Sequence, residues 1–146
     1  MKSIIYFSQA VLIGLSFLLY SFVTNPPCES DEFVDSCAPA LGNFVFIKTF
    51  NINVDKPGNK TEYSYVLSRD SEYKIVVCDQ NDPGKKMIIN FYDRSKKLIA
   101  SNYLKSSKKI FPTVSYKCAA TGVYYVEAFF EGDKSGCGIN ILGFKK

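Results

Sequence analysis

The chain contains no histidine and no tryptophan. Without histidine there is no Ser-His-Asp or Cys-His catalytic arrangement, no His-ligated zinc and no imidazole pH switch. Without tryptophan the best sugar-stacking and cation–π ring is missing, although ten tyrosines and twelve phenylalanines remain. No C-x-x-C pair occurs, so neither a thioredoxin-type redox pair nor a zinc knuckle is indicated. Glycine-rich, phosphate-cradling loops are also absent, and no cofactor is expected.

What is present is a globular composition. In 146 residues, 47% are apolar and 22% charged, which excludes wholesale disorder and suits one domain. Lys2 precedes an uncharged run from Ser3 to Cys28, and Ile4–Val23 within it is predominantly apolar. A short positive start before such a run reads as a secretory signal. About 20 apolar residues also suffice to span a bilayer, so an uncleaved anchor is the alternative. Cleavage candidates lie between Ser21 and Asn25, and Pro26 and Pro27 end any helix. Thr24 to Pro27 are not the small apolar residues that precede a lipidated cysteine, so lipidation of Cys28 is not expected. The expected organisation is a signal peptide or anchor over 1–24, an acidic connector over 25–41 and a β-sandwich domain over 42–146.

Five cysteines lie beyond the apolar segment: Cys28, Cys37, Cys78, Cys118 and Cys137. Exported cysteines are usually oxidised. The odd count leaves at least one thiol free, lipidated or joined between chains.

Eight short strands are expected: Asn43–Asn53, Glu62–Leu67, Glu72–Cys78, Met87–Asp93, Leu98–Asn102, Ile110–Lys117, Gly122–Phe130 and Cys137–Phe144. Turn signals separate them, notably Pro57-Gly58-Asn59 and Asn81-Asp82-Pro83-Gly84. No helical period follows the apolar segment, so the pattern is all-β, a sandwich or barrel. An internal repeat supports this. Ser64–Val77 aligns without a gap on Ser115–Ala128, placing Tyr73 on Tyr124 at an offset of 51. Each copy reads as strand, tight corner, strand. Tyr73, Ile75 and Val77 share one face, as do Tyr124, Val126 and Ala128, and these are the expected buried faces.

The segments Ala119–Phe130 (AATGVYYVEAFF), behind SYKC, and Met87–Asn102 (MIINFYDRSKKLIASN) resemble the bacterial pre-peptidase C-terminal (PPC) domain. The chain is also similar to small exported proteins of unknown function from Bacteroidetes-type bacteria. Those carry EYSYVLS, a YDR turn, CxATGVYY and a terminal CGxxxLGF, here Glu62–Ser68, Tyr92–Arg94, Cys118–Tyr125 and Cys137–Phe144. The resemblance covers about Gly42 to Lys146 and its motifs are structural. It implies an eight-stranded, jelly-roll-like β-sandwich and a non-catalytic role in export or substrate binding. Numbered in order, the strands of a jelly roll form sheets 1-8-3-6 and 2-7-4-5. That order suggests disulfides Cys78–Cys137 and Cys37–Cys118.

Charge is uneven. Asn25–Gly84 holds 5 basic and 10 acidic residues, whereas Lys85–Lys109 holds 8 basic residues and one acid, Asp93. Lys85, Lys86, Arg94, Lys96 and Lys97 are therefore candidates for an anionic partner. The competing reading is a lysine-rich edge that keeps strands from pairing with other chains. Asp79, Asn81 and Asp82 fit a plain Asx turn better than a calcium loop, and no metal site is expected. Glu127 and Glu131 are the only candidate carboxylate pair for glycoside hydrolysis. Most tyrosines sit at alternating strand positions and read as core rather than as a sugar-binding face. The expected function is an exported, non-catalytic module at the envelope or outside. It would bind a glycan or protein, without nucleic acid, and meet a membrane only through an uncleaved N-terminal segment. The alternative is a structural or assembly subunit linked through the unpaired cysteine.

Overall fold

The computed structural model describes residues 31–146, so the expected signal or anchor and Cys28 lie outside the described residues. A seven-residue helix α1 (Asp31–Cys37) and a 3-10 turn (Ala38–Leu41) lead into the strands. These are β1 (Val45–Val54), β2 (Thr61–Leu67), β3 (Glu72–Asp79), β4 (Met87–Tyr92), β5 (Leu98–Ser101), β6 (Tyr103–Leu104), β7 (Lys109–Ile110), β8 (Thr113–Lys117), β9 (Gly122–Phe130) and β10 (Gly136–Lys145). Two four-stranded antiparallel sheets result, ordered β1-β10-β3-β8 and β2-β9-β4-β5, with β6–β7 as a separate small hairpin. With β8, β9 and β10 as the expected sixth, seventh and eighth strands, this is the jelly-roll order strand for strand. Among the described residues no helix is long and apolar enough to cross a membrane.

The small hairpin is where strand expectation and structure differ. Ile110–Lys117 reads as one strand, but Pro112 has no amide hydrogen for a ladder and breaks it. Ile110 pairs instead with Tyr103. Asn102 then pins the hairpin to β4. Its buried side chain accepts from the Ile89 amide at 2.8 Å and donates to the carbonyls of Met87 and Phe111 at 3.1 and 3.0 Å.

The core follows the two-residue strand period. Tyr73 and Ile75 of β3 and Tyr124, Val126 and Ala128 of β9 are buried between the sheets, with Val77 packed against them. Each fully buried aliphatic side chain contributes about 1.5–3 kcal/mol. The repeat marks two equivalent corners. The Ser68 amide donates to the Tyr73 hydroxyl at 2.9 Å, and the Tyr124 hydroxyl donates to the Ala120 carbonyl at 2.8 Å. The corners also bond each other: Asp70 N–H to the Cys118 carbonyl, Cys118 N–H to the Ser71 carbonyl, both at 2.9 Å.

The first sheet is buried on its outer face too. Phe33, Val34, Cys37 and Ala38 lie on one side of α1 and the turn after it, and cover Val76, Cys78, Ile139 and Ile141. This cover corrects both expected disulfides. Cys37 is bonded to Cys78, with Cα atoms 6.1 Å apart. Cys78 lies opposite Ile139 in the ladder, so Cys137 is displaced from it by two residues, while α1 delivers Cys37 onto the same face. Cys118 is free and 1% exposed in the inter-sheet core, so the first sheet separates it from Cys37. Cys137 is also disulfide-bonded.

Candidate functional site

The five candidate cations are not gathered into one patch. Lys85 and Lys86 precede β4, whereas Arg94, Lys96 and Lys97 follow it, and a six-residue strand spans about 20 Å. Lys86 is 4.0 Å from Asp79 and donates to the Asn81 side-chain oxygen. Lys96 is 2.7 Å from Glu62. The Lys97 and Ser95 amides close an Asx turn on Asp93 at 2.9 and 2.8 Å. Arg94, Lys96 and Lys97 thus crown the turn into β5, an edge strand of the second sheet.

The possible calcium loop is a turn with its carboxylate already engaged. Asp79 accepts the Asn81 amide at 2.8 Å through one oxygen and the Met87 amide at 2.7 Å through the other. The Lys86 ammonium stands where a cation would. Among the described residues no three His, Cys, Asp or Glu side chains are grouped to hold a metal. Glu127 and Glu131 do not converge either. Glu127 lies on β9 and Glu131 in the turn beyond it, and four extended residues separate them by about 13 Å.

Glu127 instead belongs to a cluster that the sequence did not reveal, on the outer face of the second sheet. Strand register builds this face in rows. Ser64, Tyr125, Tyr92 and Leu98 form one row across β2, β9, β4 and β5. Glu62, Glu127, Asn90 and Ser101 form the next. Val66 opposite Val123 continues it on one side, and Phe129 on the other. The core rings stack on one another, but Tyr92, Tyr125 and Phe129 are half-buried and face outward.

Polar groups fill the spaces between these rings. Glu127 accepts from Lys60 at 3.0 Å, the Asn90 amide at 3.3 Å and the Tyr92 hydroxyl at 3.4 Å. Glu62 stands directly opposite Glu127, an arrangement of like charges that destabilises a ladder unless it is compensated. Lys96 and Lys60 supply the compensation. Both ammonium groups also lie over rings, Lys96 at 3.5 Å from the Tyr125 centroid and Lys60 at 4.9 Å from that of Phe129. Both lysine side chains are 49% exposed, and such surface pairs are worth only about 0–1 kcal/mol. A ligand that lifts either lysine from its ring must replace both the ion pair and the cation–π contact, each worth about 1 kcal/mol or less.

The one sequence signal for this face is Glu127 itself. It is the only charged residue between Gly122 and Phe130, and its parity marks Val123, Tyr125 and Phe129 as outward.

No family model and no curated protein matches the chain. Among solved structures, similarity is found to PliG of Aeromonas hydrophila, a periplasmic lysozyme inhibitor of g-type lysozyme. It has 7% identity and a TM-score of 0.49, over 70% of this chain and 89% of that one. Similarity is also found to the pre-peptidase C-terminal domain of collagenase from Bacillus anthracis. It has 14% identity and a TM-score of 0.42, over 67% of this chain and 88% of that one. The fold assignment rests on the strand order itself.

Proposed function

We propose that the protein is an exported, non-catalytic β-sandwich that binds a glycan on the outer face of its second sheet. The observation that carries this is the row of outward rings, Tyr92 and Tyr125 with Phe129 beyond them, interleaved with Glu62, Glu127, Asn90 and two movable lysines. Aromatic faces take the C–H side of a sugar ring, and carboxylate, amide and ammonium groups bond its hydroxyls. The Cys37–Cys78 bridge supports an oxidising, exported location. The non-catalytic reading has its own support. Glu62 and Glu127 are each held by a lysine on a sheet face, with no cleft to place a sugar between them. The assembly reading through an unpaired cysteine loses its basis at Cys118, which is buried at 1% exposure.

Calorimetric titration with a panel of soluble envelope polysaccharides tests the proposal. Tyr125→Ala and Phe129→Ala are each expected to weaken binding by about tenfold or more. Leu104→Ala, an exposed position off this face, is expected to leave it unchanged. Absence of binding by the wild type, or full binding by Tyr125→Ala, overturns the glycan reading. A protein partner is the second reading, favoured by Val66 at 58% and Val123 at 38% exposure beside the same rows. Cross-links from a captured partner to Lys60 and Lys96 would support it.

A further inference from the structure

A concavity, separate from that sheet face, lies at the other end of β4. It has a volume of about 410 Å3, within the range of small-ligand sites. The Cys37–Cys78 disulfide forms one side, Val77, Met87, Phe111 and Pro112 supply apolar walls, and Lys86 supplies an ammonium group.

Three independent devices hold this cleft open. The disulfide fixes the end of α1 to β3. The buried Asn102 side chain and the bond from the Val77 amide to the Pro112 carbonyl, at 2.8 Å, fix the wall that carries Phe111. The two amide bonds to Asp79 fix the loop between β3 and β4. Phe111 is thereby kept 38% exposed instead of folding into the core. Walls that cannot collapse leave room that only water or a ligand fills.

The charges give the cleft a sign. The Asp79 oxygens are already occupied by the Asn81 and Met87 amides. The Lys86 ammonium has three protons and two partners among the described residues, Asn81 and Asp79. The Lys109 ammonium lies 5.0 Å above the Phe111 ring. Lys86 is thus the one cation in the lining, and the carboxylate beside it is already committed.

We propose that this cleft binds a small carboxylate with an apolar body, its anionic group on Lys86 and its body against Phe111 and Met87. Two sources share that chemistry, an aliphatic acid and an N-acylated apolar amino acid. Octanoate and N-acetylphenylalanine represent them, with 1-octanol and N-acetylphenylalaninamide as neutral counterparts. Titrations of the folded, oxidised protein would be followed by amide NMR shifts at Asn81, Lys86, Met87 and Phe111. At least one carboxylate is expected to move these four amides and to bind about tenfold more tightly than its neutral counterpart. The better of the two acids identifies the source. Lys86→Gln is expected to abolish the preference for the acid, whereas Phe111→Ala weakens acid and neutral ligand alike. The proposal is overturned if neither acid moves these amides, if acid and neutral forms bind equally, or if Lys86→Gln keeps the preference. The wild-type comparison of acid with neutral ligand decides the matter even where a variant folds poorly.

Discussion

Tyr73 and Tyr124 sit at equivalent places in the repeat and close equivalent corners with their hydroxyl groups. Removing the Tyr73 hydroxyl leaves the Ser68 amide without its partner, and removing that of Tyr124 leaves the Ala120 carbonyl with only the weak Cys118 thiol donor at 3.2 Å. Tyr73→Phe and Tyr124→Phe are each expected to cost about 1–2 kcal/mol in urea unfolding, with the rings still packed. An unchanged midpoint for both would show that the corners are held by the chain alone. Phenol burial also sets an alkaline limit. Burial raises the Tyr63 hydroxyl above its ordinary range, opposed by a hydrogen bond from Asn140. Burial first, then Tyr116 and Cys118, raises Tyr124. In the unfolded chain both ionise near pH 10, while the folded state keeps its protons to higher pH. This stabilisation is complete below about pH 10 and is lost as pH rises, by up to about 1.4 kcal/mol per unit per tyrosine. Urea midpoints are expected to fall above about pH 10, and Tyr63→Phe to flatten the fall by one tyrosine's share. An equal slope in wild type and variant would place the alkaline limit elsewhere. Gly138 is fixed for a different reason. A β-carbon there would strike the Cys78 carbonyl and the Met87 methyl, so Gly138→Ala is expected to cost about 1–3 kcal/mol or more in urea unfolding.

At the scale of elements, the strands were legible and the helix was not. Alternation and turn residues locate β1 to β5 and β8 to β10, because period two and Asn-Asp-Pro-Gly signals are local. Helix α1 has seven residues, too short to form by propensity. It exists because Phe33, Val34 and Cys37 pack on the first sheet and Cys78 captures Cys37. Both disulfide expectations failed with it. Strand order says which ends approach, but not that an added layer delivers a thiol to the outer face. The bridge closes a loop across a sequence separation of 41. Replacing Cys37 and Cys78 by alanine is expected to cost about 2–5 kcal/mol and to let α1 lift from Val76, Ile139 and Ile141. Increased binding of an apolar dye, with strand content preserved in circular dichroism, would show the uncovered face. Loss of strand signal would instead make the helix integral to the fold.

For the whole molecule, the same alternation that reveals the sandwich conceals its candidate site. In Gly122–Phe130 both parities carry aromatic residues, Tyr124 and Phe130 inward, Tyr125 and Phe129 outward. Hydrophobicity alone cannot choose between them; the parity of Glu127 does for β9, but the cluster of Glu62, Asn90, Tyr92 and the lysines appears only once β2, β9 and β4 are set in register. The lysines mislead for the converse reason. They are close in sequence, but β4 carries them to opposite ends of the sheet. Thiol chemistry tests the molecule as a single object. Cys118 is free in the core, and Cys37, Cys78 and Cys137 are bonded. Cys28 is the one other cysteine in the sequence and hence the expected partner of Cys137. Native protein is therefore expected to take up no iodoacetamide, and protein unfolded without reductant to take up one equivalent, at Cys118 alone. Non-reducing peptide mapping is expected to join Cys37 to Cys78 and Cys137 to Cys28. Rapid alkylation of Cys118 in the native state would mean that the corners around it open readily. A covalent dimer through Cys118 would restore an assembly role.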